Sequence, residues 1–432
     1  MKSDNNSDME WNECNDNSEY RTGMTRQKAG DGRVLLLRWD QKVLTLLYAG
    51  NRLIQADACL PDDNVLDQIY IGKVKNVAGN IQAAFVEYMP GKLCFLPLRG
   101  SEPVITNRKY DGRILAGDEI VLQICAESQK QKEARATTSL SFSGSCVTLV
   151  YDRNQLTYAA DLPEKQRKNL KAYAGQSALI TEIRKEYGIH FDAASKTLTD
   201  PSELEKELLR LKEEADQLRQ TMYHRTCFSL LYKAPSAWLK CLKSYDSGDY
   251  EKILTDDVSI LEETKAYLER YQPADLSKLV FYEDPLLSLS KLYSVETRLT
   301  EALERKVWLK SGGYLVIERT EAFTCVDVNS GKYIGKKGKE ETFLHINLEA
   351  AQEIGRQLRL RNISGIIIID FINMERFEFN KTLMKKLKEI VGMDPVPTTV
   401  VDMTPLGLVE VTRKKGKRSL WEQLNRKTEK TS

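Results

Sequence analysis

Residues 365–374 read GIIIIDFINM, a glycine, four consecutive isoleucines and then Asp370. An unbroken apolar run of this length describes a central strand buried on both faces. A charge left unpaired in such a core is costly, so Asp370 is expected to emerge at the strand's end. Upstream, AFTCVDV (residues 322–328) sets Asp327 behind a second apolar run in the same way. Asn329, two residues on, shares Asp327's side of that strand. Two carboxylates at the ends of adjacent central strands make a hard oxygen site suited to hydrated Mg²⁺, which takes few protein ligands. Each aspartate taken alone also fits a plainer role, capping the loop or helix that follows its strand. The pattern leaves both readings open.

Working outward, Gly312-Gly313 opens the strand YLVIE, a turn follows at Arg319 to Glu321, and AFTCVDV returns. A long helix is expected from about Glu341 to Arg361, and FINM leads into another helix. Three basic groups flank the candidate metal site. Lys332, Lys336, Lys337 and Lys339 lie in the loop after Asn329; Arg356, Arg359 and Arg361 end the long helix; Arg413, Lys414, Lys415, Lys417 and Arg418 form the third. A run of charge is ordinarily a solvated face. Three such runs around one acidic pair point to phosphodiester binding.

Farther out, residues 1–32 are rich in Asn, Asp, Ser and Gly and are expected to form a disordered tail. VLLLRWD, KVLTLLYAG and NRLIQADACL then read as three strands. A second β stretch runs from Ile69 to Leu98, with turns at Gly79-Asn80 and Pro90-Gly91. Strands at Glu119–Cys125 and Ala136–Phe142 would complete a five-strand oligonucleotide-binding (OB) barrel. Leu204, Leu208, Leu211 and Leu218 recur at helical spacing behind Ser202, predicting a helix packed on its own domain. Another helix is expected over Leu289–Lys306.

Composition sets bounds. Lys+Arg 64 against Asp+Glu 62 leaves no global field, so binding of a polyanion must come from local patches. The eight cysteines include no C-x-x-C pair, which argues against a zinc knuckle or a disulfide framework and fits a reducing cytosol. No apolar run is long enough to span a membrane, and the start lacks the pattern of a signal peptide, so a cytoplasmic protein is expected.

The runs SGGYLVIERTEAFTCVDVNSG (311–331), EETFLHINLEAAQEIGRQLRLRNISGIIIIDFINM (340–374) and LGLVEVTRKK (406–415) together resemble the ribonuclease E/G family, densely after Ser311 and thinly between about residues 148 and 280. The resemblance implies an α/β multidomain protein. A ribonuclease H-like part (33–65 and 222–282) is split by an S1-type OB barrel (66–147) and a 5′-sensor region (148–221). A deoxyribonuclease I-like catalytic domain (283–424) follows, with tails at 1–32 and 425–432. It further implies that Asp327 and Asp370 coordinate Mg²⁺, that Asn329 supports one of them, and that Phe85, Phe95 and Lys132 contact RNA. From pattern alone, both phenylalanines could equally belong to the barrel core. Lys336, Lys337 and Arg413 complete the candidate RNA contacts. The implied activity is Mg²⁺-dependent cleavage of single-stranded RNA, leaving 5′-phosphate and 3′-hydroxyl ends. A non-catalytic RNA-binding relative is the alternative, and a metal-dependent phosphatase or deoxyribonuclease a more distant one.

Three departures from the family pattern stand out. The family's 5′-monophosphate sensor, an Arg-Thr pair in G-(L/I)-I-V-R-T-A, aligns with residues 188–194, GIHFDAA, which puts Asp192 and Ala193 in those places. No cysteine follows Cys325, so the zinc-link is missing and any homo-oligomer is expected to form without it. Pro395 and Pro397 stand where the family carries basic residues.

Overall fold

The computed structural model describes residues 32–61, 65–98, 103–126, 133–151, 153–159, 162–192, 195, 200–245, 247–331 and 338–425. These fall into two compact units. One takes the chain up to Cys59, Ser244–Glu263 and everything from Ser277 on; the other takes Leu60–Lys243 and Thr264–Leu276. Of the expected tails, 1–32 and 425–432, residues 1–31 and 426–432 lie outside the described residues, while Gly32 opens a strand and Asn425 ends a helix.

The first unit begins with the meander β1 (Gly32–Trp39), β2 (Lys42–Ala49) and β3 (Arg52–Cys59), as the sequence predicts. The second unit then opens with a barrel of β4 (Ile69–Ala78), β5 (Ala83–Met89), β6 (Lys92–Pro97), β7 (Glu119–Ala126) and β8 (Ala134–Thr137). The ten-residue β4 closes it, because its first half ladders with β7 and its second half with β5. Tyr70 and Val74 point inward with Val86, Cys94, Leu96 and Leu122. Gly72 is required between them, since a Cβ there would lie 2.7 Å from Val86 Cγ1. The fifth strand is shorter than expected. It ends at Thr137, and Phe142 belongs to the next sheet.

That sheet joins β9 (Ser141–Ser143), β10 (Val147–Tyr151), β11 (Leu156–Tyr158) and, beyond α1 (Glu164–Gln176) and α2 (Ala178–Ile183), β12 (Tyr187–Phe191). Across it lies α3 (Pro201–Met222), started by Asp200, whose side chain accepts the Ser202 amide. Leu204, Leu208, Leu211 and Leu218 of α3 are buried in one cluster with Phe142, Val147 and Ile189. β13 (Leu230–Tyr232) adds to the outer edge of β4, and α4 (Ala237–Lys243) follows.

The chain then returns to its first sheet with β14 (Lys252–Thr255), α5 (Val258–Tyr271) and β15 (Leu279–Phe281), in the order β15-β14-β1-β2-β3. The expected helix over 289–306 is two, α6 (Leu289–Leu292) and α7 (Val295–Leu303). Ser294 between them has φ +49°, a left-handed conformation that no helix continues through.

A second sheet in this unit has the order β16-β17-β18-β19-β21-β20. Its strands are β16 (Lys306–Trp308), β17 (Tyr314–Arg319), β18 (Phe323–Asn329), β19 (Gly365–Asp370), β20 (Thr398–Met403) and β21 (Leu408–Arg413). Helices α8 (Lys339–Leu360) and α9 (Phe377–Gly392) both pack on one face, against Leu315, Val326, Ile367, Ile369, Val409 and Val411. The expectation of a strand buried on both faces is therefore corrected. Ile367 and Ile369 are fully buried, whereas Ile366, on the opposite face, is 52% exposed. Among the described residues, helices pack on only one side of this sheet. The short α10 (Leu420–Asn425) packs on β3.

Candidate active site

The open face of the second sheet brings the two aspartates together. β18 and β19 run parallel, with Asp327 and Asp370 as direct register partners. Their Cα atoms are therefore one strand spacing apart, about 5 Å. Both side chains lie on the face away from the helices. Asn329, on the same face, donates from its amide nitrogen to Asp327 Oδ2 at 2.7 Å, which fixes that carboxylate's rotamer. Burial, and then the charges of Asp327 and Asp370, push the nearby Cys325 thiol up, so the negative potential of the pair extends along the face.

Local structure around the pair is tightly specified. Gly331 (φ +60°) and Gly312 (φ +89°) pack back to back beside Asn329; a Cβ on Gly331 would lie 2.4 Å from the Gly312 carbonyl oxygen. After Asp370 the chain is gripped by Asn347 of α8. Its side chain accepts the Ile372 amide at 3.0 Å and donates to the Ile372 carbonyl at 2.8 Å. Asn347 is wholly buried, and sequence reasoning missed it, because a single asparagine inside a helix carries no pattern. Glu340 and Glu341 at the start of α8 hold the same segment, through the amides of Glu375 and Arg376 and an ion pair to Arg376. A cleft of about 270 Å³ opens beyond Asp370, lined by residues 371–374, Asn380 and 403–407.

The donor set fits a hydrated divalent ion. It offers two hard carboxylates on an exposed face, and among the described residues no three His, Cys, Asp or Glu side chains gather into an all-protein cage. An ion that keeps most of its waters needs no more.

One of the three basic groups, and Arg413 of another, prove different from expectation. Arg356 donates to Glu353 at 3.0 Å and to the Leu53 carbonyl at 2.7 Å, and Arg359 donates to Gln55 at 2.8 Å. These arginines tie α8 to β3, so they are structural and do not present a phosphate-binding face. Burial pushes the Glu353 carboxyl up, but Arg356 and Arg52 outweigh it and hold the group below its ordinary range. Arg361, in the same inward group, is lowered to about 10 by burial and by Arg356. Arg413 is likewise corrected. It is 4% exposed and bonded to Asp394 Oδ2 at 2.7 Å, with Asn362 and the Ile363 carbonyl each at 3.0 Å. Its parity on β21 turns it toward the helices, away from the open face that carries the aspartates. Lys414 and Lys415 beyond it are exposed. Lys332, Lys336 and Lys337 lie outside the described residues, as does Lys132.

On the barrel, Phe85 and Phe95 are register partners on the outer face, edge to face with centroids 5.9 Å apart. Their half-exposed rings stand outside the core formed by Val86, Cys94 and Leu96. Arg135 of β8 is the partner of Phe95 and is exposed, adding a basic group that the sequence reading passed over. Just beyond β12, Asp192 accepts from Thr148 at 3.1 Å and pairs with Lys243 at 3.6 Å.

Comparison with known proteins places these features in a lineage. Residues 141–416 match the model of the Ribonuclease E/G family. Ribonuclease G of Haemophilus influenzae is 30% identical over 370 residues, covering 82% of this chain and 74% of the relative. Ribonuclease G of Escherichia coli K12 is 30% identical over 376 residues with the same coverage. Ribonuclease E of Haemophilus influenzae is 27% identical over 391 residues, covering 88% of this chain and 41% of the relative.

Proposed function

The chain belongs to the ribonuclease E/G family and is an endoribonuclease, and on that premise we propose that it cleaves single-stranded RNA with Mg²⁺ held by Asp327 and Asp370. The observation that carries this reading is the direct register of the two carboxylates on an open sheet face. When bound there, the ion supplies charge neutralisation at the scissile phosphate and a water of lowered pKa. Asn329 holds the Asp327 carboxylate by an amide hydrogen bond, and Asn347 fixes the backbone that leaves Asp370. Phe85 and Phe95, with Arg135 beside them, offer stacking and charge to unpaired bases and their backbone. In-line attack by water leaves a 5′-phosphate and a 3′-hydroxyl. On an A/U-rich single-stranded RNA, cleavage should require Mg²⁺, and mass spectrometry of the fragments should find those ends. Full activity in excess chelator, or 2′,3′-cyclic phosphate products, would refute the reading.

We read the split first sheet as the ribonuclease H-like part. In support, β14 and β15 rejoin β1–β3 in one sheet although the barrel intervenes in sequence. The six-stranded sheet with α8 and α9 on one face supports the deoxyribonuclease I-like reading. The lack of any C-x-x-C pair in the sequence supports the cytoplasmic reading; among the described residues no helix is long and apolar enough to cross a membrane.

Because Asp192 aligns with the arginine of the family's sensor segment, RNAs with a 5′-monophosphate or a 5′-hydroxyl should be cleaved at similar rates. A ratio well above tenfold in favour of the monophosphate would sink this expectation.

A further inference from the structure

The open face that carries the aspartates also carries three side chains with no part in holding an ion. Trp308 on β16 is 63% exposed and meets Tyr314 of β17 at a steep angle, with centroids 5.3 Å apart. Lys306 lies over both rings, its Nζ 3.9 Å from the Trp308 centroid and 3.7 Å from that of Tyr314. The register places this group relative to the site. Trp308 is opposite Tyr314, which is opposite Asn329; Lys306 is opposite Val316, which is opposite Asp327. Lys306 therefore stands in the same row as the two aspartates, two strand spacings from Asp327, or about 10 Å.

Charge makes this side the favoured path for a polyanion. On the other side of the aspartates the same face carries Glu318 and Glu410, the row that includes Cys325 and Ile368. Glu410 repels phosphate and Glu318 is paired with Arg305, whereas the β16 side offers an ammonium group held over two aromatic rings. A tryptophan this exposed, next to a cation and in register with a cleavage centre, suits an unpaired base with its phosphate.

Building on the endoribonuclease reading above, we propose that Trp308 and Tyr314 stack a base of the single-stranded RNA adjacent to the cut, and that Lys306 contacts the backbone phosphate of that nucleotide. The platform holds the strand in register over Asp327 and Asp370. It requires an unpaired base, which a duplex does not offer.

The test uses full-length protein carrying Asp327→Asn, so that binding is read without cleavage, and an A/U-rich single-stranded RNA. Trp308→Ala should weaken binding about tenfold, with Trp308→Phe keeping most of the affinity. Lys306→Met should lower the slope of log affinity against log salt by about one. Abasic replacement of bases near the cut, one at a time, should find one position that costs affinity with Trp308 present and nothing further with Trp308→Ala. Unchanged affinity in both variants would overturn the proposal, as would an abasic loss that simply adds to the Trp308→Ala loss. A change in oligomeric mass with RNA affinity unchanged would also overturn it, by assigning the patch to a second copy. Failure of the parent reading shows separately, as absence of Mg²⁺-dependent cleavage by the unsubstituted enzyme.

Discussion

Asp327→Asn should reduce RNA cleavage by on the order of 10³-fold or more while leaving the fold intact. The substitution is isosteric and lies on an exposed sheet face, so it removes no core contact. Two like charges directly opposite in register repel one another when no cation lies between them. Neutralising one should therefore leave the melting temperature unchanged or slightly raised in the absence of Mg²⁺. Added Mg²⁺ should stabilise the parent protein but not the variant, because only the parent offers both carboxylates. Asp370→Asn should behave alike, and the double variant should be little worse than either single one, since the pair acts as a unit. Cleavage at parental rate in either variant would refute the assignment. Lost cleavage together with a collapsed melting transition would instead show that the aspartates serve the fold.

What the sequence discloses about this centre is uneven, for physical reasons. Strand-end aspartates behind apolar runs are visible because burying a charge is costly, so Asp327 and Asp370 stand out. Their direct register is invisible, since it depends on β18 and β19 being neighbours in a sheet built across a long helix. The isoleucine run misleads because an unbroken apolar strand looks the same whether one or both faces are covered. The arginines of α8 mislead for a different reason. Helical spacing shows that they share a region, but their partners, Leu53 and Gln55, come from a strand about three hundred residues earlier in the chain. Trp308 was overlooked because one aromatic residue between charged and apolar neighbours has no period; only pairing with Tyr314 gives it meaning.

Arg413→Ala tests the other consequence of parity on a strand. Arg413 follows Val409 and Val411 on the helix-facing side of β21, and it fills that place with a guanidinium bonded to Asp394, Asn362 and the Ile363 carbonyl. Removing it strands the Asp394 carboxylate, whose side chain is 8% exposed, and leaves two further acceptors without this donor. Breaking a buried pair from one side costs about 3–5 kcal/mol. In a unit of this size that corresponds to a fall in melting temperature on the order of 10 °C. Replacing both partners, as in Arg413→Met with Asp394→Leu, should recover much of the loss, because no buried charge is then left unpaired. If Arg413 instead touched RNA, the single variant would melt like the parent, bind RNA more weakly, and show a salt slope smaller by about one. Calorimetry and a salt titration of RNA binding on the same sample separate the two outcomes, and the bond geometry commits to the first.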